Sequence, residues 1–156
     1  TQGKFAMVDD EDYEWLSKWK WCYQRRGSDG YAMRGVRGGC KNKKTYTTIY
    51  MHRTILCPTA SQQTDHTNGN RLDNRKENLR ACTRAENLRN RGLRKDNKSG
   101  FKGVYWHKGE ARWCAHIKVN YKDIFLGYFY DKIDAAKAYN SGALQHNKEF
   151  SRLNYF

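Results

Sequence analysis

The chain has 156 residues, with 30 Lys or Arg against 16 Asp or Glu, and its formal net charge is +14 at pH 7. An aromatic content of 14% excludes a disordered chain, because this many rings can bury enough surface to fold. The positive charge is spread over the whole length, which predicts a protein that lies along a polyanion. The alternative is a basic soluble protein without a nucleic-acid partner.

The number and spacing of the cysteines argue against a zinc site and against a disulfide network. The five are odd in number and too far apart for a CxxC motif, so we expect neither a zinc site nor a disulfide network. We expect small buried side chains in a reducing compartment. The sequence has no 18-residue apolar stretch and no signal-peptide core, so we expect a soluble cytoplasmic protein without a membrane partner.

The first 56 residues predict a small antiparallel α+β unit. A short strand is expected at 4–8, and an acidic start with apolar residues at helical spacing predicts a helix across 9–19. Strands at 20–23 and 31–36 flank the turn residues 27–30, and a β-branched and aromatic run predicts a strand across 45–53.

The next segment is polar and rich in asparagine. TDH at 64–66 predicts the end of a strand, a long polar loop with the turn signal Asn68-Gly69 follows, and NLRACT predicts a returning strand. Thr83 with Glu86 three residues later is a capping-box pattern that predicts a short helix as far as Gly92. The order is therefore strand, loop, strand, helix.

A polar linker at 92–99 precedes a different pattern. Three aromatic and β-branched runs, at 101–107, 112–119 and 123–129, are separated by turn residues that include 120–122, and they predict an antiparallel meander. A helix capped by Asp131 is expected to pack on this sheet. We therefore predict an α+β protein with units at 1–91 and 100–156.

The residue types at 65–87 suit phosphodiester hydrolysis. A histidine activates water near neutral pH, so His66 is the candidate general base. The adjacent Asp65 offers a ligand to Mg²⁺, which often uses one or two protein oxygens, and Asn87 offers a second oxygen. Asn78 is expected to hold the imidazole in one tautomer. The alternative is an asparagine-rich loop whose histidine only hydrogen-bonds the backbone.

Asp65-His66, NGN at 68–70, NRKENLR at 74–80 and TRAENLRNR at 83–91 resemble the HNH homing endonucleases of phages and introns, which share the ββα-metal motif. The resemblance implies the same roles: His66 as base, Asn78 as its support, and Asp65 and Asn87 as metal ligands. MHR at 51–53 resembles the stretch before that motif. For His52, a loop-anchoring hydrogen bond and a place lining the site both stay open.

Residues 100–156 resemble the APETALA2-type DNA-binding domain, through SGFKGVYWH, RWCAHIKV, FLGYF, AAKAYN and RLNYF. The resemblance implies DNA contacts by Lys102, Tyr105, His107, His116, Lys118 and Phe125. Strand alternation places Arg112, Cys114, His116 and Lys118 on the side that faces DNA. Lys102 and Tyr105 do not fit one simple alternation, which a bulge or a strand end would resolve.

The sequence as a whole predicts a site-directed endonuclease that acts on double-stranded DNA with Mg²⁺, or with Mn²⁺ as a substitute. We expect a monomer that nicks one strand in the cytoplasm of a bacterial host. Of six arginines between 71 and 91, about half are expected to contact phosphates, and Arg71, Arg75 and Arg84 are the candidates. The alternatives are a non-catalytic DNA-binding regulator and an RNA-binding protein, although the narrow major groove of RNA suits a sheet poorly.

Overall fold

The computed structural model describes residues 3–27, 29–38, 45–120 and 122–156, so Ser28, Cys40 and Tyr121 lie outside the described residues. The chain forms two compact units, and the boundary between them lies between Asn87 and Leu88. Over its described residues, the protein combines short helices with three antiparallel sheets, which confirms the predicted α+β class. None of the described helices is both long enough and apolar enough to cross a membrane.

The first unit contains a three-stranded sheet, a two-stranded hairpin and short helices. The elements are α1 (Asp10–Leu16), β1 (Cys22–Arg26), β2 (Asp29–Gly38), β3 (Thr45–Tyr50), α2 (Met51–Leu56), β4 (Gln63–His66), β5 (Leu79–Cys82) and the first residues of α3 (Arg84–Arg89), whose last two residues belong to the second unit. The first sheet has the order β1-β2-β3, and β4 pairs with β5. Leu16, Ala32 and Met51 form the buried apolar cluster.

In the first unit, two predicted strands are replaced in part by other structure. The expected strand at 4–8 is reduced to Met7, which forms a parallel bridge with Asp73 and exchanges backbone hydrogen bonds of 2.8 Å with Leu72 and Asn74. The strand expected across 45–53 ends at Tyr50, and the MHR stretch begins α2 instead. Met51 and His52 are both buried in this helix, so tertiary packing ends the strand at Tyr50.

The second unit is a meander covered by a helix, as predicted. Its strands are β6 (Val104–His107), β7 (Arg112–Val119) and β8 (Lys122–Phe129), in the order β6-β7-β8, followed by α4 (Lys132–Asn147). The Asp131 carboxylate accepts a hydrogen bond from the Ile133 amide at 2.5 Å, which confirms the predicted cap. The core combines small helix residues with strand residues, among them Ala135, Ala136, Ala115 and Val104.

The cysteines are not uniformly buried. Of those in the described residues, Cys82 and Cys114 are buried, but Cys22 and Cys57 are exposed. The expectation of small buried side chains is therefore wrong for Cys22 and Cys57. Cys22 lies on the outer strand of its sheet and Cys57 at the end of α2, where little chain covers them.

Gly103 gives a test of how the second unit packs. Its φ is +73°, and a Cβ there would lie 2.0 Å from Cδ2 of Tyr139 and 2.6 Å from the His116 carbonyl oxygen. We expect Gly103→Ala to destabilise this unit by about 2–4 kcal/mol, from backbone strain and overpacking together. Thermal unfolding followed by amide NMR of the unit measures this. Gly92→Ala is the matched control, because nothing lies within 4 Å of a Cβ there; equal shifts in the two variants would contradict the packing.

Candidate active site and nucleic-acid interface

The β4–β5 hairpin and α3 carry the polar residues predicted to act in hydrolysis. The strands pair antiparallel, with Asp65 opposite Arg80 and His66 opposite Leu79. The predicted capping box is confirmed: the Glu86 carboxylate accepts from the Thr83 amide at 2.8 Å, and the Glu86 amide donates to Thr83 Oγ1 at 3.3 Å. This cap starts the helix that carries Asn87.

The loop between these strands is held by buried polar side chains. Asn78 Nδ2 donates to the Asp73 carbonyl oxygen at 2.7 Å, and Asn78 Oδ1 accepts from the Asn68 amide at 2.9 Å. The Asp73 carboxylate accepts from Asn68 Nδ2 at 2.9 Å and from Arg75 Nε at 2.8 Å. Asn78 therefore fixes the path of the loop backbone, whereas its predicted place was against the imidazole of His66.

The amide that contacts His66 belongs to Asn74. His66 Nε2 and Asn74 Oδ1 are 3.1 Å apart, and the two residues are 5% and 0% exposed. Sequence reasoning missed Asn74 because it lies in the same polar stretch as Asn78 and has the same side chain. The spacing did not separate the two, because a loop of this length has room to turn either asparagine back toward the ring.

Aromatic rings surround the imidazole of His66. The ring centroid of His52 lies 5.1 Å from that of His66, and the Tyr31 ring lies 6.2 Å from His66 and 5.1 Å from His52. His52 is buried, and its Nδ1 has no hydrogen-bond partner within the described part of the chain. Of the two roles left open for His52, the structure supports the one in which it lines the site.

Burial sets the charge of both histidines. It lowers the pKa of His66 below its ordinary value, against the raising effects of the Asn74 hydrogen bond and the Asp65 charge. For His52, burial and the neighbouring His66 charge lower the pKa to about 3. His66 is therefore a neutral imidazole near pH 7, the form that accepts a proton.

The two predicted metal ligands each have a polar partner. Asp65 is buried, and Arg80 approaches its Oδ2 through Nε at 2.9 Å and through a terminal nitrogen at 2.7 Å. Asn87 Nδ2 donates to Gln63 Oε1 at 2.8 Å. A carboxylate and an amide oxygen are ligand types that a hard divalent ion accepts, and an ion on Asp65 Oδ2 would have to replace the Arg80 guanidinium there. Within the described ranges, no three His, Cys, Asp or Glu side chains form a cluster.

The predicted phosphate-contacting arginines differ in their surroundings. Arg75 pairs with Asp73 and, at 2.8 Å, with Glu77, so two carboxylates offset its charge. Arg71 lies over the Tyr31 ring, 4.8 Å from its centroid, and therefore beside the histidine pair. Arg84 is exposed at the first position of α3.

In the second unit, the sheet brings four predicted DNA-contacting rings together. Tyr105 lies 5.2 Å from His116 and 6.4 Å from His107 between ring centroids. Tyr128, which was not among the predicted contacts, lies between two of them, with its ring centroid 5.2 Å from that of His107 and 4.8 Å from that of Phe125. We call Tyr105, His107, His116, Phe125 and Tyr128 the ring face. Regular alternation would put Phe125 and Tyr128 on opposite faces, but a register shift between Ala115 and His116 brings both to the same face, so the sequence pattern alone did not point to Tyr128.

The other predicted contacts have partners inside the unit. The Lys102 ammonium donates to the carbonyl oxygens of Arg89 and Arg91, and burial lowers its pKa to about 8. Arg112 donates to the Tyr130 hydroxyl at 2.9 Å, and Lys118 lies 3.5 Å from Asp123.

Strand position explains two points that alternation left unresolved. β6 begins at Val104, so Lys102 precedes the strand and does not share its alternation with Tyr105. Cys114 was expected to face DNA, but it is 2% exposed. Its register partners are Tyr105 and Tyr128, whose larger rings cover it.

Residues 57–89 match a family model described as HNH endonuclease. The matched stretch runs from the end of α2 through β4, the loop, β5 and α3, and it contains every residue predicted for catalysis and metal binding. An HNH endonuclease domain has DNA as its substrate and generally uses a divalent metal ion. No curated protein and no solved structure matches the chain.

The buried histidines predict acid sensitivity of the first unit. An unfolded His52 takes up a proton near its ordinary pKa of 6.5, whereas the folded one does so only near 3. Between these values the unfolded state binds more protons, so stability falls as pH falls, by up to about 1.4 kcal/mol per pH unit for this group. We expect His52→Phe to reduce that slope. Hydrogen exchange of the β4 and β5 amides between pH 6 and 4 measures it, and an unchanged slope would contradict the lowered pKa.

Proposed function

We propose that this chain is a metal-dependent homing-type endonuclease that nicks one strand of double-stranded DNA. The observation that supports this most directly is the buried His66, whose pKa is lowered, next in sequence to Asp65 with its Arg80 partner, in a segment that matches HNH endonucleases. A proton acceptor and an anionic oxygen ligand for a divalent ion are two groups that phosphodiester hydrolysis uses.

In the proposed reaction, His66 takes a proton from the water that attacks phosphorus. Asp65 and Asn87 would hold Mg²⁺, or Mn²⁺ as a substitute, and such an ion would supply positive charge that offsets the negative charge of the leaving group. Asn78 keeps the loop in the path that presents His66, through its bonds to Asn68 and Asp73. The rings of His52 and Tyr31 limit the movement of the imidazole.

The second unit is proposed to select the DNA site in the manner of an APETALA2-type domain. Aromatic and imidazole groups on the ring face suit the edges and methyl groups of bases in a major groove. Arg71 and Arg84 are proposed to contact phosphates, which position the duplex without reading its sequence. A monomer with one hydrolytic site cuts one strand per binding event, and we place the protein in the cytoplasm of a phage-infected bacterium.

A non-catalytic DNA-binding regulator is the second candidate. The observation that favours it is the Asp65–Arg80 ion pair, because the guanidinium already occupies Asp65 Oδ2. A site in which this pair persists would bind DNA without cleaving it.

Nicking of supercoiled plasmid separates the two candidates. We expect the wild-type chain to convert supercoiled to open-circular DNA with Mg²⁺, and we expect EDTA or His66→Ala to abolish this, because each removes one of the two groups that hydrolysis needs. DNA binding in a gel-shift assay should persist. His146→Ala, on α4 of the other unit, is the matched control and should nick normally. Binding without nicking, with Mg²⁺ or Mn²⁺ and on a confirmed site, would establish the regulator.

Salt dependence separates base contacts from phosphate contacts. We expect Phe125→Ala to weaken specific binding by about 1–2 kcal/mol, roughly tenfold, with the salt slope unchanged. We expect Arg84→Ala to reduce the slope of log K against log salt by about one. Fluorescence anisotropy on a confirmed target at several salt concentrations measures both effects. Tyr155→Ala removes an exposed ring outside the ring face and should change neither; a loss equal to that of Phe125→Ala would contradict base contact by the ring face.

A further inference from the structure

The contact between His66 and Asn74 distinguishes the two nitrogens of the imidazole. His66 Nε2 faces the amide oxygen of Asn74 at 3.1 Å. An amide oxygen only accepts, so the nitrogen that faces it must carry the hydrogen. The other end of the same amide supports this orientation: Asn74 Nδ2 lies 3.4 Å from Met51 Sδ, and a thioether sulfur only accepts.

The Asn74 amide is held from several sides. Its side chain is completely buried, and its backbone amide donates to the Met7 carbonyl oxygen at 2.8 Å. The preceding residue, Asp73, forms the bridge with Met7 and pairs with Arg75. A side chain fixed in this way presents its oxygen to the ring in one direction, and rotation of the amide would place its NH₂ group against the ring instead.

We propose that Asn74 is the positioning residue of His66: it holds the Nε2–H tautomer, and it thereby makes Nδ1 the nitrogen that accepts the proton from water. The inference rests on the proposed nuclease function for its chemical consequence, but the tautomer itself is a property of the folded chain.

The reaction step then has a defined proton path. The water O–H bond breaks and its proton moves to His66 Nδ1, while the water oxygen bonds to phosphorus. The 3′ oxygen leaves with the electron pair of its bond to phosphorus and takes a proton from solvent. The ring becomes an imidazolium whose Nε2–H still donates to Asn74 Oδ1, and such a charge-assisted hydrogen bond is stronger than the one in the neutral ring.

A role in packing alone is the competing explanation, and variants separate the two. Asn74→Leu keeps the approximate size but removes the acceptor, whereas Asn74→Asp keeps an acceptor oxygen. Met51→Leu removes the sulfur contact and leaves the Asn74–His66 pair in place, with a conservative change of volume. A packing role predicts similar effects of Met51→Leu and Asn74→Leu; positioning predicts an effect of Asn74→Leu alone.

The first measurement is the His66 tautomer in the full-length chain without metal or DNA. Long-range ¹H–¹⁵N spectra above pH 7, where His66 is neutral because its pKa is lowered, should show a protonated Nε2 and an unprotonated Nδ1. We expect the same pattern in Met51→Leu, a protonated Nε2 in Asn74→Asp, and a mixture of tautomers in Asn74→Leu. A protonated Nδ1 in the wild type, or an unchanged tautomer in a folded Asn74→Leu, overturns the proposal. If Asn74→Leu does not fold, the wild-type tautomer alone decides.

The second measurement is the rate of nicking. We expect Asn74→Leu to lower kcat by about 10–100-fold with little change in KM or in DNA affinity, and Asn74→Asp to recover part of the loss. Equal losses in Asn74→Leu and Met51→Leu would overturn positioning in favour of packing. A wild-type chain with the expected tautomer but no nicking would support the Asn74–His66 assignment and reject the nuclease, so the two failures are distinguishable.

Discussion

Hydrogen bonds between buried polar side chains hold the loop that presents His66, and the candidate site depends on them. Asp73, Asn74 and Asn78 are almost fully buried, so each needs partners inside the protein, and each has them in the loop or in the Met7 segment. A satisfied network of this kind specifies one backbone path more tightly than apolar contacts would. The asparagines therefore stabilise this loop through hydrogen bonds between buried polar groups, in place of apolar packing.

Burial has different consequences for the histidines and for Asp65 at the candidate site. His52 and His66 are neutral because desolvation penalises their protonated forms. Asp65 lies in the same hairpin but faces Arg80 across the strands, and this ion pair compensates its burial. Burial also raises the pKa of the Cys82 thiol to about 11, so the cysteine closest in sequence to the site is protonated and unreactive. One hairpin thus presents a base and an anion next to each other.

In the second unit, packing decides which of the predicted DNA-contacting side chains lie on a surface that DNA could reach. Alanines on α4 allow the helix to lie close to β7, so the apolar strand residues face the helix and the ring face is left on the other side. Local partners then hold several of the cations predicted to contact DNA: Lys102 binds backbone carbonyls, and Arg112 binds the Tyr130 hydroxyl. What the ring face presents is therefore aromatic and imidazole groups more than cations.

The sequence by itself determined features whose causes are local. The Thr83–Glu86 capping box, the Asp131 cap, the alternating strands of the meander and the adjacency of Asp65 and His66 all depend on residues a few positions apart. Only the tertiary structure decided which asparagine contacts His66, because Asn74 and Asn78 have the same side chain and the path of the loop selects between them. It also turned MHR into a helix and buried Cys114 beneath two tyrosines, since burial against distant residues outweighs local propensity.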